Sequence, residues 1–348
     1  MVFRKVFFLL SIPFSFLYFI IILARDIFYK LNIFKKYKID AKVISVGNIT
    51  WGGTGKTPVA AFIADMLVRK NRRVGILIRG YGNDESELLP KLTSNVPVLV
   101  GKDRVKSGKE AIENYLLDTL LLDDGFQYVR LKRDLDIVCV DASKPFGNGW
   151  VIPAGSLREG LYALKRAGIF LITKADLVSG KDKLEKLERK LRAINPKAVI
   201  AKAIHRPLYF YRLSGEDSVR RSEQNSDRRT EFEKVNIGEL QNGELALVSA
   251  IGSPECFEKT ILRLGLKINR HFIFRDHHAY TREDIAGIED YCKKNKIDTV
   301  ITTEKDAVKL KGSILEALSS RALVLKVRLE IIENEDGFCN RLFGIYNS

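Results

Sequence analysis

Residues 42–58, KVISVGNITWGGTGKTP, join an apolar strand-like run to a glycine-rich turn and then to a helical pattern. That order admits few folds, because a loop that cradles phosphate needs a strand behind it and a helix amino terminus in front. Gly52, Gly53 and Gly55 let backbone N–H groups approach phosphate oxygens, and Thr50 and Thr54 are the remaining loop positions assigned to the nucleotide. Lys56 is placed to reach the β and γ phosphates, and Thr57 to offer its hydroxyl to Mg²⁺. Thr50 stands where the strict G-x-x-x-x-G-K-[ST] spacing has glycine, so the loop is a variant P-loop.

Beyond residue 40, short Val/Ile/Leu runs alternate with helical patterns, as in RVGILIRG, VPVLVG, TLLLDD, LDIVCVDA and GIFLITKAD. Near-continuous apolar runs imply strands covered on both faces, so the fold class is α/β, a doubly wound and mostly parallel sheet. The pattern predicts a P-loop core domain over 39–205, a polar connecting segment over 206–240 and a smaller α/β domain over 241–348. In TLLLDDGFQ an apolar strand ends in Asp123 and Asp124, and an acid at a strand's carboxyl end beside a P-loop can hold Mg²⁺ directly or through water.

Residues 6–24, VFFLLSIPFSFLYFIIILA, carry no charge over a length that can cross a hydrocarbon core as a helix. No small-x-small cleavage site follows Ala24. Arg25, Lys30, Lys35, Lys36, Lys38 and Lys42 follow the run and outnumber Arg4 and Lys5 before it, which leaves the bulk of the chain on the cytoplasmic side of the membrane. Pro13 lies within the run, so residues 1–38 are an anchoring helix and basic flank that either spans the bilayer or lies bent in its interface. The whole chain of 348 residues carries a formal charge of +15, which favours an anionic partner: a phosphorylated ligand or an acidic membrane surface. Nucleic acid would use the same charge, but it gives the apolar start no role. The four cysteines are far apart and form no C-x-x-C pair, against zinc ribbons and disulfide frameworks.

Two nucleotide readings follow. Thr173, Lys174 and Asp176 in GIFLITKAD look like the T-K-x-D guanine-reading element of GTPases that target proteins to membranes. Against that alternative, no D-x-x-G sequence follows the TLLLDDGFQ strand. Taken together, GNITWGGTGKTP, RGYG, VPVLVGKDR, LLDDGFQ, GNGWVIPAGSLREGLYALKRA, FRDHHAY and TTEKDAVKL resemble, in order and over nearly the whole chain, the tetraacyldisaccharide 4′-kinase family of lipid A biosynthesis.

The resemblance implies transfer of the γ-phosphate of ATP to the 4′-hydroxyl of an acylated glucosamine disaccharide 1-phosphate, giving lipid IVA. It implies ATP and Mg²⁺ as cofactors and the lipid at an anionic inner-membrane surface as partner. Lys56 would neutralise charge on the transferred group, and one of Asp123 and Asp124 would join Thr57 on the metal. His277, in FRDHHAY, would take the acceptor's proton, with Asp84 orienting it across two domains that close over substrate. The bland alternative makes Asp276, His277 and His278 caps of the helix that starts near Thr281. Arg158, in SLREG, is a candidate phosphate clamp whose guanidinium offers a bidentate fork; its structural alternative is an ion pair with Glu159 or Asp176. Two departures from the family pattern stand out. RGYG runs almost directly into Asp84, Glu85 and Ser86, where the family has a longer stretch and a D-E-P, and Tyr128 follows DDGFQ in place of a basic residue or histidine.

Overall fold

The computed structural model describes residues 2–80, 83–93, 96–178, 180–212, 233–241, 243–310 and 322–347; of these, the side chains of 2–7, 83–85 and 181 are not described. The contacts divide the chain into two units. The first comprises residues 1–81, 89–204 and 329–348, and the second residues 82–88 and 205–328.

The first unit is built on parallel strands β1 (Lys42–Gly47), β2 (Val74–Ile78), β3 (Val98–Val100), β4 (Thr119–Asp123), β5 (Leu135–Asp141), β6 (Ile169–Thr173) and the first part of β7 (Val199–Arg212), in the order β3-β2-β4-β1-β5-β6-β7. Residues of β1, β2, β4, β5 and β6 are buried almost without exception, as the unbroken apolar runs require. β1 lies between β4 and β5, so chain order reverses on either side of it. Ligand crevices in open α/β sheets form at the carboxyl ends of strands at such a switch point. There β1 enters the P-loop and α2 (Lys56–Arg69) leaves it, while β4, in register with β1 through Val46 and Asp123, ends in the two aspartates.

Helix α1 (Val2–Lys30) continues through Pro13 and belongs to this unit. Ser15 is fully buried: its hydroxyl donates to the Val151 carbonyl at 2.9 Å and accepts from Ala154 N at 2.8 Å. One turn on, Tyr18 donates to the Arg158 carbonyl at 2.8 Å. Near the helix end, Arg25 meets the buried Glu159 at 2.6 Å, and Tyr162 donates to Asp26 at 3.0 Å. The opposite face leaves Leu9, Leu10, Phe14, Leu17, Ile20 and Ile21 exposed.

The second unit has parallel strands β9 (Glu244–Ser249), β10 (Lys267–Ile273), β11 (Thr299–Thr303) and the first part of β12 (Ala322–Glu333), in the order β10-β9-β11-β12. Around them lie α6 (Pro254–Arg263), α7 (Arg282–Asn295) and the short α8 (Glu304–Ala307). The first unit's other helices are α4 (Arg104–Tyr115), α5 (Lys181–Ile194) and α9 (Glu335–Phe343), and α3 (Asn83–Leu92) is divided between the units.

Two boundaries differ from the sequence expectation. Residues 329–348, read as part of the smaller domain, return to the first unit, because Leu329, Ile331, Phe338, Leu342 and Ile345 enter the apolar cluster that holds Val46, Ile63 and Leu121. The segment read as a polar connection from 206 begins instead as strand: β7 continues to Arg212 and pairs antiparallel with β8 (Lys234–Val235) through Phe210 and Val235. Residues 213–232, within the polar connecting segment read from sequence, lie outside the described residues.

Candidate active site

The P-loop backbone turns at Gly52 (φ 120°) and Gly55 (φ 82°), conformations a Cβ would strain, and Gly55 then caps the amino terminus of α2. Inside the loop, the Asn48 amide donates to the hydroxyls of Thr54 at 2.9 Å and Thr50 at 3.4 Å. Thr50, the departure from the strict motif, is therefore buried and held from within. Residues 156–158 run beside the loop: Trp51 N donates to the Ser156 carbonyl at 2.6 Å and Arg158 N to the Ile49 carbonyl at 2.7 Å.

Asp123 and Asp124 are adjacent in sequence and differ in environment. Asp123 is 2% exposed; its Oδ2 accepts the Thr57 hydroxyl at 3.0 Å and its Oδ1 accepts Asp124 N at 2.9 Å. Burial pushes its carboxyl above the usual carboxylate range, against the pull of Lys56. Asp124 stands in the left-handed region (φ 50°). Its carboxylate accepts from Arg158 Nη1 at 2.8 and 2.7 Å and faces Lys56 Nζ at 3.5 Å. Burial acts to raise it too, but the two cations outweigh burial and hold it below the usual range. Arg158 thus pairs with Asp124; Glu159, one of the partners weighed from sequence, instead binds Arg25 and Arg166.

Thr50, Gly52, Gly53, Thr54, Gly55, Lys56, Thr57, Asp123, Asp124 and Arg158 accordingly gather at one end of the first unit's sheet. The Thr57 hydroxyl beside the Asp123 carboxylate is a hard-oxygen pair that fits Mg²⁺, which takes few protein ligands and keeps phosphate oxygens and water for the rest of its shell. Among the described residues, no group of three or more His, Cys, Asp and Glu side chains gathers into an all-protein metal site.

The sequence reading gave Arg104 no role. It is 2% exposed, and its guanidinium donates to the carbonyls of Asp123 at 2.7 Å and Asp124 at 3.1 Å, pinning the turn that carries both acids. Its one local signal is a cation in the first turn of α4, where the helix dipole disfavours it.

His277 belongs to the second unit. Its backbone is left-handed (φ 63°), a region uncommon outside glycine, and its N–H reaches the Ala250 carbonyl at 3.4 Å. Its Nε2 lies 3.8 Å from Asp276 and 3.4 Å from Lys305 Nζ, which also donates to Asp276 at 3.0 Å. His278 is committed elsewhere: it bonds Asp284 at 2.8 Å and stacks on Phe274. The Asp284 that holds it shares a capping box with Thr281 at the start of α7. The N-cap of α7 is Thr281, so the reading of Asp276, His277 and His278 as its caps is not met; His278 only supports the cap through Asp284. His271 bridges Ser249 at 2.8 Å and Glu258 at 2.9 Å. The backbone of Asp84 lies in α3, but its side chain is outside the described residues.

The family model described as tetraacyldisaccharide-1-P 4′-kinase matches residues 7–345. The chain belongs to this family. The tetraacyldisaccharide 4′-kinase of Halothermothrix orenii is 36% identical over 317 residues, 84% of this chain and 80% of that protein. That of Bdellovibrio bacteriovorus is 33% identical over 343 residues, 92% of this chain and 94% of that protein. A crystal structure of LpxK from Aquifex aeolicus in complex with ATP superposes with a TM-score of 0.71 at 27% identity, covering 99% of this chain and all of that one. This protein is an ATP-using tetraacyldisaccharide 4′-kinase of lipid A biosynthesis, and the targeting-GTPase alternative is set aside.

Proposed function

We propose that the P-loop cluster is the nucleotide half of the kinase site and that His277 serves the acceptor. The observation that carries the first part is the Thr57–Asp123 hydrogen bond, which ties the loop's hydroxyl to the acid at the end of the neighbouring strand. The amides of residues 52, 53 and 55–57 and the amino terminus of α2 bind the phosphates, and Lys56 follows charge onto the γ-phosphoryl oxygens. Thr57 and Asp123 would hold Mg²⁺, whose contribution when bound is to neutralise the β and γ phosphate oxygens. Asp124 orients Lys56 and Arg158, and Arg158 serves as the phosphate clamp. His277 accepts the 4′-hydroxyl proton at its imidazole, with Asp84 as its orienting acid.

The same reading places the enzyme at the cytoplasmic face of the inner membrane with α1 lying along the surface. Residues 8–30 are long and apolar enough to span. Yet a spanning helix would carry Ser15, Tyr18, Arg25 and Asp26 away from the partners that hold them in the first unit. Keeping those bonds leaves Leu10, Phe14, Leu17 and Ile21 to enter the acyl boundary, and the chain's +15 charge supports attraction to anionic headgroups.

The test is to incubate full-length protein with a tetraacylated disaccharide 1-phosphate in anionic vesicles and γ-labelled ATP or GTP. Label should pass to the lipid from ATP far faster than from GTP, and Asp176→Ala should leave that preference nearly unchanged. Transfer from GTP that depends on Asp176 would overturn the nucleotide assignment.

A further inference from the structure

Thr173 and Lys174, the start of the T-K-A-D string, have no part in the site as described so far. Thr173 ends β6 fully buried, and its hydroxyl donates to the Thr54 carbonyl at 3.0 Å. Lys174 follows in the left-handed region (φ 56°) and is 7% exposed. Its ammonium donates to the Gly53 carbonyl at 2.9 Å and to Asp141 at 2.5 Å. Asp141, at the end of β5, is fixed in turn by the backbone N–H of Ser143 at 2.8 Å and its hydroxyl at 2.6 Å. Two consecutive carbonyls of the P-loop are therefore tied to the ends of neighbouring strands.

The peptide group is planar and trans, so its N–H points opposite to its C=O. Holding the Gly53 and Thr54 carbonyls toward β6 turns the N–H bonds of Thr54 and Gly55 to the other side. Thr54 N closes a turn onto the Gly52 carbonyl at 3.0 Å. Gly55 N–H is the bond that Thr173 aims, at the amino terminus of α2, where a P-loop directs its amides to phosphate. A buried Lys–Asp pair is on its own weak support for stability, because desolvating both charges offsets their attraction. The carbonyl contact gives this pair a different use.

We propose that Thr173 and Lys174 are positioning residues for phosphoryl transfer: they fix the P-loop backbone in the form that binds the nucleotide phosphates. This rests on the P-loop being the ATP site, and Lys56→Ala is the control for that reading. The experiment measures the Kd of MgATP by calorimetry on the full-length protein, with the Tm recorded without nucleotide. Thr173→Val removes the hydroxyl and keeps the shape; it should weaken ATP about fivefold. Thr173→Ser, which keeps the hydroxyl, should return within about twofold of wild type on the same ground.

Lys174→Met alone would leave the Asp141 carboxylate buried without its cation and could unfold the unit, so it is paired with Asp141→Asn. That double variant should weaken ATP about tenfold or more, since it removes a charge-assisted bond to the loop. A fall in Tm with an unchanged Kd would reduce both residues to fold stability and overturn the proposal. So would Thr173→Ser binding as weakly as Thr173→Val. If Lys56→Ala weakens ATP while Thr173→Val does not, this inference fails and the P-loop assignment stands; if neither does, the P-loop assignment fails as well.

Discussion

Lys56→Ala should leave the fold intact and slow phosphoryl transfer at least about a hundredfold, the usual cost of removing one preorganised contact to developing charge. Transfer rates within about threefold of wild type would remove Lys56 from the site. Asp123→Asn should divide stability from activity. Burial holds the Asp123 carboxyl above its ordinary value, so its ionised form is disfavoured in the folded protein. A group raised in this way contributes stability that is full below the unfolded value of about 3.9 and lost as pH rises through the folded one. Relative to wild type, the asparagine variant should therefore gain Tm at pH 7 and nothing near pH 3, while losing transfer activity. An equal Tm difference at both pH values would show that ionisation of Asp123 is not what the substitution relieves. The loop residues and both aspartates are legible in sequence because their chemistry depends on local spacing. Arg104 is not, because its role is to bond carbonyls 19 and 20 residues away, and a lone arginine in a helix's first turn says nothing of them.

At the scale of elements, the buried strands are legible because parallel sheet covered on both faces demands unbroken Val, Ile and Leu, as β4 and β6 supply. The return of α9 to the first unit is not: Phe338, Leu342 and Ile345 form an ordinary short apolar stripe, and their partners Val46 and Ile63 stand far off in sequence. The helix α1 is legible as apolar but not as docked. Its buried Ser15 and its Arg25–Glu159 pair acquire meaning only against residues 151–166. Docking alters what a truncation would report, since removing α1 strips partners from Val151, Arg158, Glu159 and Tyr162 and should destabilise the first unit. Substitution of the exposed face isolates anchoring instead. Leu17→Glu with Ile21→Glu touches side chains more than half exposed and should leave Tm unchanged. Each residue withheld from the acyl boundary forgoes about 2 kcal/mol, so partition into anionic vesicles should fall more than about a hundredfold. Undiminished sedimentation with vesicles would mean that α1 does not lie in the membrane through this face.

For the whole molecule, the two units imply a division of labour that kinetics can read. ATP is assigned to residues of the first unit, while His277 and residues 82–88, which include Asp84, belong to the second. His277→Ala should therefore lower kcat about a hundredfold or more, the usual worth of a general base, and leave the KM for ATP within about twofold. If Asp84 acts only by orienting and charging His277, removing either one removes the same function. Asp84→Ala with His277→Ala should then be scarcely slower than the worse single variant, where independent roles would multiply their losses. His278→Ala is the control one residue away. Because His278 bonds Asp284 at the cap of α7 and stacks on Phe274, its loss should lower Tm and leave kcat near that of wild type. A kcat that collapses without His278 and survives the loss of His277 would move the base to His278. Multiplicative losses from Asp84 and His277 would dissolve the dyad while leaving the nucleotide half untouched. That outcome has a sequence rationale, since RGYG runs almost directly into Asp84, which leaves little chain to carry it.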